Sequence, residues 1–122
     1  MDERERARVM GTARIVVGAS MFLAPKWAGR TWVGRDADTP GAKTITRGFG
    51  ARDLAIGIGL LSALEDGKGA GRWLLLGAVA DGGDALSTLL SWPRLPRLAR
   101  LTIFAGAATA CVTGAWLSSR VD

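Results

Sequence analysis

Residues 101–117 read Leu-Thr-Ile-Phe-Ala-Gly-Ala-Ala-Thr-Ala-Cys-Val-Thr-Gly-Ala-Trp-Leu, a run of helix length without one charged side chain. A helix on the surface of a soluble bundle shows charge at every third or fourth position along one side. Here the only polar or weakly polar side chains are those of Thr102, Thr109, Thr113 and Cys111, and they form no polar face. A helix of this length with no wettable side suits the hydrocarbon of a bilayer.

Three other stretches have the same character, and the spans read as 9–25, 44–64, 71–92 and 98–118. All are expected to be helical, because an open sheet in lipid leaves backbone donors and acceptors unpaired. The fold class is thus all-α, a four-transmembrane-helix bundle, with residues 1–122 as a single integral membrane domain. Pro25 is expected to end the first span. The connection 26–43 carries Gly29, Gly34, Pro40 and Gly41 among mixed charges and reads as an interfacial loop, with Trp27 and Trp32 dipping into the headgroups. Glu65-Asp66-Gly67-Lys68-Gly69 reads as a tight polar turn; it lacks the spacing of a phosphate-binding loop. Pro93 and Pro96, with Arg94, Arg97 and Arg100, separate the last two spans, and no internal repeat is visible.

Composition is less decisive than this local pattern. The chain is 48% hydrophobic and 22% charged, and its mean hydropathy of +0.20 is low for a membrane protein. Tryptophan placement favours lipid all the same. Trp27, Trp32, Trp73, Trp92 and Trp116 all fall near the ends of apolar stretches, where an indole keeps its body in hydrocarbon and its N–H in the headgroup layer. There is no His, Tyr, Asn or Gln, and Arg outnumbers Lys thirteen to three, a usage that fits a high-GC bacterial genome. Without His, zinc sites built on imidazole and Ser-His triads are excluded. Lone Cys111, inside the fourth span, reads as a small packing residue. The net charge of +5 is spread around the span ends and forms no single stripe, which argues against nucleic acid as a partner. The opening Asp2-Glu3-Arg4-Glu5-Arg6, with Arg14 interrupting the first apolar run, does not resemble a cleavable signal. Lys and Arg divide six against seven between the two sides, so the positive-inside rule selects neither orientation.

Charge within the spans is the most specific feature. Asp81 and Asp84 stand one helical turn apart, and Arg14, Arg47, Arg52 and Asp53 also lie inside apolar stretches. Counted from the edge shared by Pro25, Lys43 and Trp92, residues 14, 52, 53, 81 and 84 lie roughly 12–17 Å deep, in one layer. Arg47 is only about 6 Å deep and can snorkel outward. A central Arg or Asp costs roughly 2.5–3.5 kcal/mol to insert while each Leu returns about 0.5. The six leucines of 71–92 therefore recover only about half of what its two aspartates cost. That segment needs a neighbour, and the span bearing Arg52 is the expected one. Counting all six residues, three arginines balance three aspartates.

Helix faces agree with pairing. Asp81 and Asp84 share a side with Gly77, Thr88 and Ser91. Gly48, Arg52, Ala55, Gly59 and Ala63 form a stripe of small residues around an arginine, and Gly106, Ala110 and Gly114 form another, at spacings that let helices approach closely. Two readings of the charge layer stand at this point. It is an internal network that fixes helix register, or it lines a polar site for a proton, an ion or a headgroup.

The run Arg47-Gly48-Phe49-Gly50-Ala51-Arg52-Asp53-Leu54-Ala55-Ile56-Gly57, together with Arg14, Pro25, Asp81 and Asp84, resembles the signature of a family of small four-helix bacterial integral membrane proteins, a domain of unknown function and DoxX-like in architecture. The resemblance implies a four-helix membrane bundle and brings no activity with it.

From the residues, the expected role is a small multi-pass protein of the bacterial inner membrane, an accessory or scaffold subunit of a larger membrane assembly. The alternative is a transporter or binder of a small solute, proton or lipid, acting through the Arg/Asp layer as a homo-oligomer. Expected partners are membrane lipid and either another membrane protein or a second copy. No cofactor, metal or catalytic residue is expected. Arg and Asp without His, Tyr or a nucleophile leave few reaction classes, so an enzyme is not expected.

Overall fold

The computed structural model describes every residue from Met1 to Asp122 and is all-helical. Its α-helices are α1 (Glu3–Leu23), α2 (Pro25–Val33), α3 (Pro40–Asp66), α4 (Ala70–Leu90) and α5 (Arg97–Ser118). Short 3-10 turns at Gly34–Asp38 and Trp92–Arg94 fill most of the longer connections.

Local chemistry sets the ends. Asp2 accepts from the Glu5 amide while the Glu5 carboxylate accepts from the Asp2 amide, a reciprocal cap that starts α1. The Thr39 hydroxyl accepts from the Ala42 amide and Pro40 occupies the first turn of α3, where its missing N–H costs nothing. Gly67 and Gly69 both take positive φ, 76° and 85°, and turn the chain between α3 and α4. The N-cap of α4 is Gly69, which has no side chain to cap with. The Asp122 carboxylate does so from the other end of the sequence, accepting from the Ala70 and Gly71 amides at 3.0 and 2.9 Å.

Segment 26–43 departs from the expected loop. Pro25 does not simply end the first helix; α1 stops at Leu23, Ala24 leaves helical geometry, and Pro25 opens α2. The chain bends by 108° there, so α2 and the following 3-10 turn lie across the end of the bundle. The Arg30 Nε and Nη2 donate to the two Asp38 oxygens at 2.7 and 2.5 Å, which ties this cap together. Those hydrogen bonds hold the Asp38 carboxyl below its ordinary range, as its ionised form is the one that accepts them.

α1 runs antiparallel to α3 over their length, α4 pairs with α5, and α3 meets α4 along a smaller contact. The α1–α3 seam is built on glycine: Gly11 faces Gly57 and Gly18 faces Gly50. A methyl on Gly50 would lie 2.6 Å from the Gly18 carbonyl oxygen, and one on Gly57 2.7 Å from that of Gly11. Bulk apolar packing collects at the end holding both termini, where Ala7, Leu60, Leu64, Leu74, Leu117 and Val121 are buried together. Arg4 stitches this end by donating to the carbonyls of Leu64 and Val121 at 2.6 and 2.8 Å.

The outside of the bundle is apolar. Val79, Leu86, Leu90, Leu98 and Val112 are each more than half exposed, the kind of exposed apolar surface that marks a membrane or partner contact. Helices α4 and α5 are long and apolar enough to cross a membrane, and α1 joins them if it is taken with its bent continuation to Asp38. That makes two or three such helices where the sequence reading has four. The one outside is α3, which is 27 residues long but carries Arg47, Arg52, Asp53, Glu65 and Asp66.

Candidate functional site

Four helices contribute to the middle of the molecule, three with charge and one with a wall. Arg14 reaches from α1 between α3 and α4: its Nη1 donates to Asp53 Oδ1 at 3.4 Å and its Nη2 to Asp81 Oδ2. Arg52, on α3, grips Asp84 of α4 with both terminal nitrogens, Nη1 to Oδ1 at 3.0 Å and Nη2 to Oδ2 at 2.7 Å. Its Nε and Nη2 also reach Asp53 Oδ1 at 3.3 Å, and its guanidinium lies 5.0 Å over the Phe49 ring. Asp53 thus joins the two arginines into one layer. The side chains of Arg14, Asp53 and Asp81 are each only 10% exposed.

The backbone is shaped for these ions. Gly77 lies directly beneath the Arg14 guanidinium, and a methyl there would come within 2.7 Å of Nη2. The two glycine pairs bracket Arg14 and Asp53 along the α1–α3 seam, which brings the two backbones close enough for the 3.4 Å contact between the side chains. Thr88, a turn beyond Asp84, returns its hydroxyl to the Asp84 carbonyl and accepts from Trp32 Nε1 at 3.1 Å. Trp32 also packs against Phe49, with ring centroids 5.6 Å apart.

Five of the six charged residues singled out in the sequence therefore meet: Arg14, Arg52, Asp53, Asp81 and Asp84. Arg47 does not join them. It is exposed, and its Nε donates to the Phe22 carbonyl at 3.3 Å, because its shallow position lets a long side chain leave the core. This corrects the charge balance. Without Arg47 the layer holds two arginines against three aspartates, a formal charge of −1.

Above the layer is a cleft of about 520 Å³. It lies between α1 and α5, which otherwise scarcely touch. Arg14, Arg52, Asp53, Asp81 and Asp84 line its floor, while Val17, Met21, Ile103 and Ala107 form apolar walls and Trp32 comes in from the α2 cap. At its mouth Val16, Val17 and Gly106 are exposed. A methyl added to Gly106 would meet nothing within 4 Å.

Sequence reasoning missed two parts of this arrangement. The glycine seam is legible in hindsight as matching seven-residue intervals, Gly11 to Gly18 and Gly50 to Gly57, the repeat of helices that cross at a small angle. The α1–α5 cleft has no such signal, because it is a gap left by packing elsewhere. Trp32 also differs from expectation: it turns inward, whereas Trp27 is 65% exposed as an interfacial indole should be. The expected stripes of small residues are used inside the chain only in part: Gly59 lies under the Trp73 indole and Gly114 against the Leu74 carbonyl, while Gly48, Ala55 and Gly106 are exposed. No family model, curated protein or solved structure matches this chain.

Proposed function

We propose that this is a multi-pass protein of a bacterial inner membrane, a bundle in which α1, α3, α4 and α5 cross the bilayer and whose lateral cleft binds an amphiphile. The observation that carries the reading is the cleft of about 520 Å³ with charge on its floor and apolar walls between α1 and α5. Its size is that of a pocket for a small ligand, roughly 300–1,000 Å³. An opening between two lipid-facing helices admits a molecule that is already dissolved in the membrane, with its polar head toward the layer and its apolar part along Val17, Met21 and Ile103. Such a protein acts as a binder or carrier.

A register network needs no cleft beside it, and an accessory subunit needs outward-facing strips of small residues. Gly59 and Gly114 are spent within the chain and Gly106 lines the cleft, which leaves Gly48 and Ala55 of the expected stripes facing outward. The cleft is what favours a binder over a scaffold.

Purification of the full protein from membranes in a gentle detergent, followed by native mass spectrometry, separates the readings. The expected result is an adduct of one small amphiphile, reduced in Gly106→Leu, which adds a bulky side chain at a residue lining the cleft. A stoichiometric larger membrane protein, with no adduct, would replace this reading by the accessory subunit.

A further inference from the structure

The charge count in the cleft points to the class of ligand. Arg52 has committed Nε and both terminal nitrogens to Asp53 and Asp84, and Arg14 both of its terminal nitrogens to Asp53 and Asp81. The N–H groups these pairs leave over lie beside the aspartates, so an incoming phosphate or carboxylate would meet like charge on this floor. The carboxylates have capacity to spare. Asp53 binds through Oδ1 and Asp81 through Oδ2, which leaves Asp53 Oδ2 and Asp81 Oδ1 free to accept. Neither free oxygen is sealed in the interior, since Arg100 Nε is the only fully buried side-chain polar atom without a partner.

The layer carries a formal −1 in a site walled by hydrocarbon, where an uncompensated charge is costly and an opposite charge correspondingly welcome. The acidic side chains do not gather into a set that could hold a metal ion; they are spread along the floor and interleaved with guanidinium groups. A diffuse organic cation suits that floor better than a compact inorganic one. Trp32 adds an aromatic surface at the same cleft, which favours a cation of low hydration.

We infer that the cleft takes a lipophilic organic cation, an amine, quaternary ammonium or phosphonium group on an apolar body. The cationic centre sits against Asp53 Oδ2 and Asp81 Oδ1 and brings the floor to neutrality, while the apolar body lies between α1 and α5. This inference rests on the cleft-binder reading and adds the sign of the ligand's charge.

Tetraphenylphosphonium and tetraphenylborate have the same shape and opposite charge, so they isolate that sign. Each is titrated by calorimetry into the full protein in a neutral maltoside detergent, with empty micelles as the blank. The expected result is saturable one-site binding of tetraphenylphosphonium and none of tetraphenylborate. Asp81→Asn should weaken the cation by about tenfold or more, and Gly106→Leu, which narrows the cleft, should weaken it as well. If Asp81→Asn does not fold, Gly106→Leu and the comparison of the two ions still decide. Equal or tighter binding of tetraphenylborate, or cation binding indifferent to Gly106→Leu, overturns the inference. A native anionic amphiphile found in the cleft would also overturn it and leave the binder reading standing. If neither probe binds and no amphiphile co-purifies, the binder reading itself fails.

Discussion

At the scale of single residues, glycines decide more than the charges they accommodate. Gly50 and Gly83 are both helical, but a methyl on the first would run into a carbonyl and one on the second would meet nothing. An alanine improves helix propensity by about 0.8–1.0 kcal/mol at either site. At Gly50 its methyl would lie 2.6 Å from the Gly18 carbonyl oxygen, and a backbone cannot yield as a side-chain tip can. Overpacking of this kind costs about 1–3 kcal/mol or more, so the clash outweighs the propensity gain. Gly50→Ala should therefore lower the thermal midpoint in detergent and Gly83→Ala should raise it slightly. A rise for both would mean that the α1–α3 seam is looser than described. Position 77 tests the ion layer by the same logic, as the Arg14 guanidinium occupies the space a methyl would need.

At the scale of elements, the ends of helices hold the two most testable contacts. Asp122 caps α4 across the termini. Loss of a carboxylate cap costs about 1 kcal/mol, so Asp122→Ala should lower the thermal midpoint by a few degrees, with amide exchange at Ala70 and Gly71 rising first. The cap formed by α2 depends on Arg30 and Asp38. Because Asp38 is held below its ordinary value in the folded cap, the pair's contribution is complete above the unfolded carboxyl value of about 4. It is lost as pH falls through the lower folded value. Protection of the amides of residues 25–38, measured against their intrinsic exchange rates at each pH, should fall with acid in that window in the native protein. In Asp38→Asn it should already be low at pH 7 and lack that acid step.

Which elements exist was largely readable from hydropathy, and the ends of α4 and α5 fall within two residues of the expected 71–92 and 98–118. The run 101–117 is uniform enough that only one structure suits it, and α5 spans Arg97–Ser118. Residues 25–38 misled for a physical reason. Glycine and proline mark turns, but Pro25 sits at a first-turn position where proline favours a helix, and Gly34 ends that helix with φ 68°. Within the charge layer, one-turn spacing put Asp81 and Asp84 on a shared face, but which arginine took which aspartate depended on helix order. Arg14 of the first helix, expected at the same depth but assigned no partner, takes Asp81.

At the scale of the whole molecule, the polar and apolar parts are distributed in bands. Arg6 and Arg120 lie over Trp116 at one end, 5.9 and 4.3 Å from the ring centroid. At the other, Arg100 lies 5.2 Å over Trp92 and Arg30 5.1 Å over Trp27. Paired indole and guanidinium groups at two levels are what a bilayer's two interfaces select. Between them the exposed side chains include Val16, Val79, Leu86 and Val112. The protein should remain in the pellet when membranes are washed with alkaline carbonate; release into the supernatant would contradict the membrane reading.

The long-range pairing of Arg14 also sets a timetable. Its partners Asp53 and Asp81 follow it by 39 and 67 residues. At a synthesis rate of 5–20 residues per second, the guanidinium waits roughly 3–13 s for its second carboxylate to be made. On the proposed membrane placement, α1 carries an unmatched charge during that interval and should rest in the headgroup layer until the hairpin of α3 and α4 arrives with both counterions. Nascent chains arrested before residue 53 should leave α1 at the membrane surface, and those extended past Asp84 should draw it across.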